Sequence, residues 1–526
     1  MIRIPFLLGG GALVVTVILF SVGILIPLAA IFAQTDFSKI GDPVILAVAR
    51  ATVWQALWST VFSGLVGLPL GIWFGRSIRN GVRPIHRVTE VFLALPFGIP
   101  TVIAAFAWVS WLGRSGILAK WGFHGPSEIL YSLNGIILAH VFFNAPWVAL
   151  FVSYAVSNIP NSHWEAAATM GSRGIHRFCY LIFPWIKRTW LGSLVQVFSL
   201  CSMSFALVLL LGGGPPVQTL ETALYSKIRL GTLDISGAAA CAFWEMLITL
   251  TPWILFLWIE RDRPALLGTE RSKITGPLKK WDVLLSGVCF LFLVPYLSVL
   301  SPRSFLNWIV DSRLRIDLGS ALEISLKLCA VTSILSVVSA LIAVGAALVF
   351  SRQGFLRKIF LSVLAVPSGI SILVLGLGFW LAYGNWIDPF AGSFWAIASL
   401  QTTIYFPIVL RILWPLANQS RLRLLESAVL LGSSPQEAFL EIEWPRWRPV
   451  VLSSLAIVAA GSMGEVAAVS LFYSENLVPL PLLISRWMSQ YRFEDGHAAS
   501  ALLFMVSVLV TVEVFLGRSR FERTNR

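Results

Sequence analysis

Apolar stretches of about twenty residues or more recur along this whole chain, separated by short polar segments. They lie near residues 6–33, 51–75, 88–112, 133–157, 191–211 and 236–259, and again near 281–300, 320–350, 357–383, 392–416, 450–473 and 498–516. Runs of this length read as membrane-spanning helices, whereas a transmembrane barrel would show short alternating segments. The pattern predicts an all-α membrane protein with about twelve transmembrane helices. The 320–350 stretch is long for one span and is expected to include interfacial turns. The first run, Ile4–Phe32 after Arg3, exceeds a signal-peptide core of roughly 7–15 residues and reads as an uncleaved span.

Two of the polar segments say the same thing. The first reads Glu165-Ala166-Ala167-Ala168-Thr169-Met170-Gly171, with Pro184 beyond it; the second reads Glu426-Ser427-Ala428-Val429-Leu430-Leu431-Gly432, with Pro445 beyond it. Glu to Gly is 6 residues and Gly to Pro is 13 residues in both. Other pairs keep the same order: Pro96 and Gly98 match Pro367 and Gly369, and Asn144-Ala145-Pro146 matches Tyr405-Phe406-Pro407. Two halves of six spans follow, 1–259 and 282–526, joined by a polar linker at 260–281. An even number of spans gives both halves the same orientation, so the repeat is parallel.

Local signals make each polar loop a helix, a glycine turn and a second helix. Ser162-His163-Trp164-Glu165 and Ser434-Pro435-Gln436-Glu437 have the spacing of capping boxes. Gly171 stops the first short helix, because glycine accepts the left-handed C-cap conformation. Pro184 and Pro445 mark re-entry into the membrane.

Composition agrees with the spans and adds an orientation. Of 526 residues, 57% are hydrophobic and 12% charged, too few charges to cover a soluble protein of this size. The net charge is +13, but the basic residues are scattered through short loops, which disfavours nucleic-acid binding. The segments holding Arg76–Arg87, Arg173–Arg188, Arg261–Lys280, Arg352–Lys358, Arg421–Arg448 and Arg518–Arg526 carry about twice the Lys and Arg of the opposite side. That side is therefore expected to be cytoplasmic, together with both termini and both repeated loops. The five cysteines lack paired spacing and read as small apolar residues, with no metal site.

The repeated loops, 158–190 and 417–449, resemble the EAA loops of ABC-importer permeases. The stretches Gly135–Pro146, Leu211–Tyr225 and Ser462–Gly496 resemble bacterial thiamine permeases, within a group that includes ferric-iron and polyamine permeases. The resemblance implies a fused two-domain permease of type I fold in the bacterial inner membrane. It implies two ABC ATPase subunits and a periplasmic substrate-binding protein as partners, with Glu165, Ala166, Ala167, Gly171, Pro184, Glu426, Ala428, Gly432 and Pro445 in ATPase-coupling loops. Glu465-Val466 stands where many relatives have Asp-Phe. Thiamine or thiamine phosphate is the implied solute, with ferric iron as the alternative.

Within the spans, Glu465 is a carboxylate at membrane depth, costly unless it meets a cavity or a partner. With Asn144 and Tyr405 it is a candidate for the translocation pathway; the alternative is a polar tie between helices. His140 reads as a hydrogen-bonded packing residue. No phosphate-binding Gly-x-x-x-x-Gly-Lys-Ser/Thr run and no catalytic set occurs, so a transport subunit without resident cofactor is expected, with ATP hydrolysis on partner chains. A secondary transporter, which would not need matched loops, is the less favoured reading.

Overall fold

A computed structural model describes residues 10–79, 84–123, 125–212, 217–231, 233–260, 280–300, 310–350, 354–386, 388, 391–418 and 422–524. Most of the 260–281 linker, Arg3 and Arg526 lie outside them. Among the described residues the elements are helices, with one isolated bridge between Ser474 and Leu477. Seven helices are long and apolar enough to cross a bilayer, and nine if each of two bent pairs is one span. The protein is a multi-pass, all-α membrane protein.

Several expected spans are broken rather than continuous. The 88–112 stretch is two helices, Pro84–Gly98 and Thr101–Leu112, with Pro100 at the break. Its counterpart bends by 97° between Gly354–Gly369 and Ile372–Tyr383, where the Ser371 side chain accepts from the Leu373 N–H. The 191–211 stretch breaks after Ser202, and 450–473 breaks after Met463. The 281–300 stretch divides into Lys280–Leu291 and Val294–Leu297. By contrast, 320–349 is unbroken within one helix, Ser312–Val349, of 38 residues, and the stretch turns only at its last residue, Phe350. Pro43–Arg79, of 37 residues, is its partner in the repeat. At 1.5 Å per residue each extends about 55 Å, well beyond a hydrocarbon core of about 30 Å. Neither the length of the run nor its composition had signalled that a single helix would continue past the membrane.

The chain forms two compact units, each drawing on both halves of the repeat. One comprises Met1–Asp42, Ala223–Met246 and Phe305–Arg526; the other comprises Pro43–Thr222 and Leu247–Ser304. In the first unit, Gly10–Gln34 packs on Ser312–Val349 and Ile372–Tyr383. Tyr383 Oη donates to the Val22 carbonyl at 2.7 Å. In the second unit, Lys280–Leu291 and Val294–Leu297 pack on Pro84–Gly98 and Thr101–Leu112. There the Thr89 and Ser286 hydroxyls meet at 2.8 Å. The first span of the first half thus lies with the second and third spans of the second half, and the first span of the second half lies with the third span of the first.

The core repeats as the loops do. In one unit Val148, Val152, Ile186 and Val197 are buried together; in the other Val409, Leu413, Trp447 and Val458 are, each 261 residues further on. The Pro43–Arg79 and Leu133–Ser157 helices run parallel at backbone contact. A Cβ on Gly71 would lie 2.6 Å from the Ala149 carbonyl oxygen, so only glycine fits there.

Candidate functional site: two matched loops and two broken spans

The two loops match element by element. A nine-residue helix, Asn161–Thr169 or Leu422–Leu430, opens each. A four-residue helix follows, Gly174–Arg177 or Pro435–Ala438, then a five-residue π turn, Phe178–Ile182 or Phe439–Glu443. A twenty-residue helix then leaves, Phe183–Ser202 or Trp444–Met463, with Pro184 or Pro445 in its first turn. Every one of these boundaries is offset by 261 residues, from 422 − 161 to 463 − 202.

The glycines close the first helix in the same way. Gly171 has φ +69° and Gly432 has φ +101°. The Gly171 N–H donates to the Ala168 carbonyl at 3.0 Å and the Ser172 N–H to the Ala167 carbonyl at 2.9 Å. In the second loop Gly432 donates to Val429 at 3.0 Å and Ser433 to Ala428 at 3.1 Å. This paired arrangement is the Schellman C-cap, which satisfies carbonyls that would otherwise end the helix unbonded. Ala167 and Ala428, named from sequence, each supply one of the two accepting carbonyls.

One capping box forms and the other does not. The Ser434 N–H donates to Glu437 Oε2 at 2.9 Å, and the Glu437 N–H donates to Ser434 Oγ at 3.2 Å. The Glu437 carboxyl is held below its ordinary pKa, chiefly by the Ser434 backbone N–H and then by its hydroxyl. In the first loop the helix already begins at Asn161 after Pro160, so Ser162 is inside it and makes no cap. Proline presets the entry there by fixing φ, at −56°.

Each loop has an anchored face and an outward tip. Trp164 and its counterpart Leu425 are buried. Glu165 and Ala166 are exposed, as are Met170 (85%) and its counterpart Leu431 (87%). Large apolar side chains held out on a rigid turn suit a partner surface rather than water. Two supports for the first loop had no signal in the sequence: the Arg79 guanidinium over Trp164, and Arg177 Nη2 donating to the Ser172 carbonyl at 2.6 Å.

At the far ends of the twenty-residue helices, the fifth spans break at matching places. Ala206–Gly212 resumes after the first break and Ala467–Phe472 after the second. Ser204 and Glu465 occupy equivalent positions in the two breaks. Glu465 is half-buried, and its Oε1 accepts from the Ala467 N–H at 2.9 Å, at the start of the short helix. Asn144 is buried, donating from Nδ2 to the His140 carbonyl at 3.0 Å and to Cys201 Sγ at 3.4 Å. Tyr405, at the position equivalent to Asn144, is half-buried; a Cβ on Gly461 would lie 2.6 Å from its Cε1.

The chain matches the family described as "Binding-protein-dependent transport system inner membrane component" twice, over residues 67–263 and 339–520. It is 29% identical over 478 residues to the thiamine transport system permease protein ThiP of Brucella abortus (strain 2308), covering 88% of this chain and 86% of that one. It is 27% identical over 510 residues to ThiP of Escherichia coli (strain K12), covering 91% and 90%. A half-length relative, "Probable sulfate transport system permease protein cysT" of Helicosporidium sp. subsp. Simulium jonesii, is 26% identical over 251 residues, covering 46% of this chain and 91% of that relative.

Proposed function

Because the chain belongs to the binding-protein-dependent transport system inner membrane component family, we propose that it is the fused permease of an importer for thiamine or thiamine phosphate. The observation that carries the solute is near-full-length similarity to proteins named as thiamine transport permeases, spanning 88% to 91% of this chain. The half-length sulfate-permease relative supports reading each repeat as one permease domain.

Transport is driven from outside the chain. Two identical ATPase subunits receive the two loops, one each, because one socket shape fits two loops built on the same boundaries. Glu165, Ala166, Ala167, Gly171, Glu426, Ala428 and Gly432 shape the docking turns. Pro184 and Pro445 begin the helices that carry movement from the loops into the membrane. A rigid loop transmits displacement; the Schellman caps and the Ser434–Glu437 box supply that rigidity. The loops, both termini and the 260–281 linker face the cytoplasm, following the Lys and Arg excess. A periplasmic binding protein delivers the solute to the opposite side.

Glu465, Tyr405 and Asn144 are the residues proposed to meet the solute. A half-buried carboxylate favours passage of a cationic thiazolium, and a permeation site must also release what it meets. A thiamine-auxotrophic strain lacking this gene is expected to need much more external thiamine, and the gene supplied in trans restores the low requirement. Undiminished thiamine uptake with lost ferric-iron uptake in the deletion strain would replace this solute with iron.

A further inference from the structure

Two buried polar hubs occupy equivalent places in the repeat. In one unit His140, on the fourth span, is the centre. Gln55 Nε2 donates to its Nδ1 at 2.6 Å, and Ser59 Oγ lies 3.3 Å from the same atom. With Nδ1 accepting, the ring proton sits on Nε2, which donates to Ser204 Oγ at 2.9 Å. In the other unit Gln401 is the centre. Its Oε1 accepts from Thr332 Oγ1 at 3.0 Å and from Ser462 Oγ at 2.7 Å.

The correspondence is positional, not merely chemical. His140 and Gln401 differ by 261 residues, as do Cys201 and Ser462, and Ser204 and Glu465. Ser59 and Thr332 differ by 273, the offset also seen for Thr52 and Ser325. That second offset is anchored independently: Thr52 Oγ1 accepts from the Leu220 N–H at 3.0 Å, and Ser325 Oγ accepts from the Leu480 N–H at 2.8 Å. Each hub thus joins a second-span hydroxyl and a fourth-span centre to the fifth span, in its break or beside it. His140 reaches Ser204 inside the break itself. Gln401 reaches Ser462, whose carbonyl accepts from the Glu465 N–H at 3.3 Å.

We infer that His140 and Gln401 are positioning residues that fix the two fifth-span breaks, and through Gln401 the place of Glu465. Neither residue acts by carrying charge or by touching solute. Gln401 does in one half what an imidazole does in the other, and both centres use only neutral hydrogen bonds. A broken helix at membrane depth leaves backbone groups that water cannot satisfy, so its geometry must be held from the side. The inference rests on the permease reading for its importance to transport, but its structural part does not depend on the solute.

The test uses the full chain with its ATPase in lipid nanodiscs. It follows amide hydrogen exchange in peptides covering residues 198–210 and 459–471, alongside uptake of labelled thiamine in cells. His140→Leu and Gln401→Leu should each raise exchange about tenfold at its own break and reduce uptake. His140→Gln should stay within about twofold of the parent in both readouts, because glutamine already serves as the hub in the other half. Ser462→Ala, which removes one hydroxyl with little volume change, should raise exchange at the second break even if the leucine variants fold poorly. The inference is overturned if His140→Gln damages uptake as much as His140→Leu, which would make the imidazole itself the functional group. It is equally overturned if Ser462→Ala and Gln401→Leu leave exchange at the second break unchanged. Absence of thiamine uptake by the parent chain would count against the solute alone, since the exchange measurements would still decide the hubs.

Discussion

Arg79 lies with its guanidinium 4.4 Å over the Trp164 ring and donates from Nη2 to Asn161 Oδ1 at 2.6 Å. The last residue of one long helix thereby clamps the first repeated loop at its buried aromatic anchor. The second loop has Leu425 in place of that Trp, and it too is buried.

Removing the clamp should loosen one loop and not the other. Arg79→Ala is expected to cost about 1–2 kcal/mol locally. Amide exchange should rise across residues 160–172 and stay unchanged across 421–433, and less ATPase should co-purify. Arg79→Lys should fall between the two, because it keeps the charge and loses the planar stack. Equal exchange in the parent and Arg79→Ala would show that the clamp does not hold the loop.

The loop glycines make a graded test. Nothing lies within 4 Å of a Cβ built on Gly171 or Gly432, so alanine meets no steric obstacle and is opposed only by the positive φ. Each alanine should cost about 1 kcal/mol and leave coupling partly intact. Proline cannot take a positive φ and also deletes the N–H that bonds Ala168 or Val429. The double proline variant should insert normally yet fail to couple ATP hydrolysis to uptake. Full transport by that variant would remove the loops from the mechanism.

Sidedness is open to a labelling experiment. In a background without the exposed Cys179, cysteines placed at Ser272 and beside Arg526 should resist a membrane-impermeant thiol reagent in intact spheroplasts. They should react after permeabilisation. Reaction before it would invert the proposed topology.

Asp234 offers a pH-dependent contribution to stability. The Lys227 ammonium and then Lys39, each at 2.8 Å, hold its carboxyl well below the usual carboxylate range, while Lys39 is raised in return. A depressed carboxylate stabilises the fold above its unfolded pKa of about 3.9 and loses that contribution as pH falls through the folded value. A raised lysine contributes fully below about 10.4 and loses its contribution as pH rises through its folded value. The Tm gap between the parent and Asp234→Asn should therefore stay level from about pH 5 to 9 and close outside that window. A gap that closes near neutral pH would contradict the ion-pair account.

Length and apolarity made the membrane helices legible, and repetition made the loops legible. The Glu, Gly and Pro spacings mark real helix ends because glycine and proline act through backbone geometry at a single residue. Hydrogen bonds across the fold left no such local trace: Ser59, His140 and Ser204 are far apart in sequence and meet only when three spans pack. Helix breaks were half legible. Pro96 and Pro367 were recognisable as repeat markers, yet Pro96 lies inside its helix while the break comes at Pro100. The exchange of first spans had no signal, since Gly10–Gln34 is apolar on every side and its composition does not choose a partner.

The two π turns, Phe178–Ile182 and Phe439–Glu443, each hold one residue more than an α-helical ladder would accommodate. That surplus sets an angle. Deleting one residue there would restore the ordinary ladder and swing everything before it by about 100° around the helix axis. Met170 and Leu431 each stand 13 residues before the first residue of the twenty-residue helix that follows, 183 − 170 and 444 − 431. A deletion in one half alone would turn that loop's tip about its own span while leaving every span at its full length.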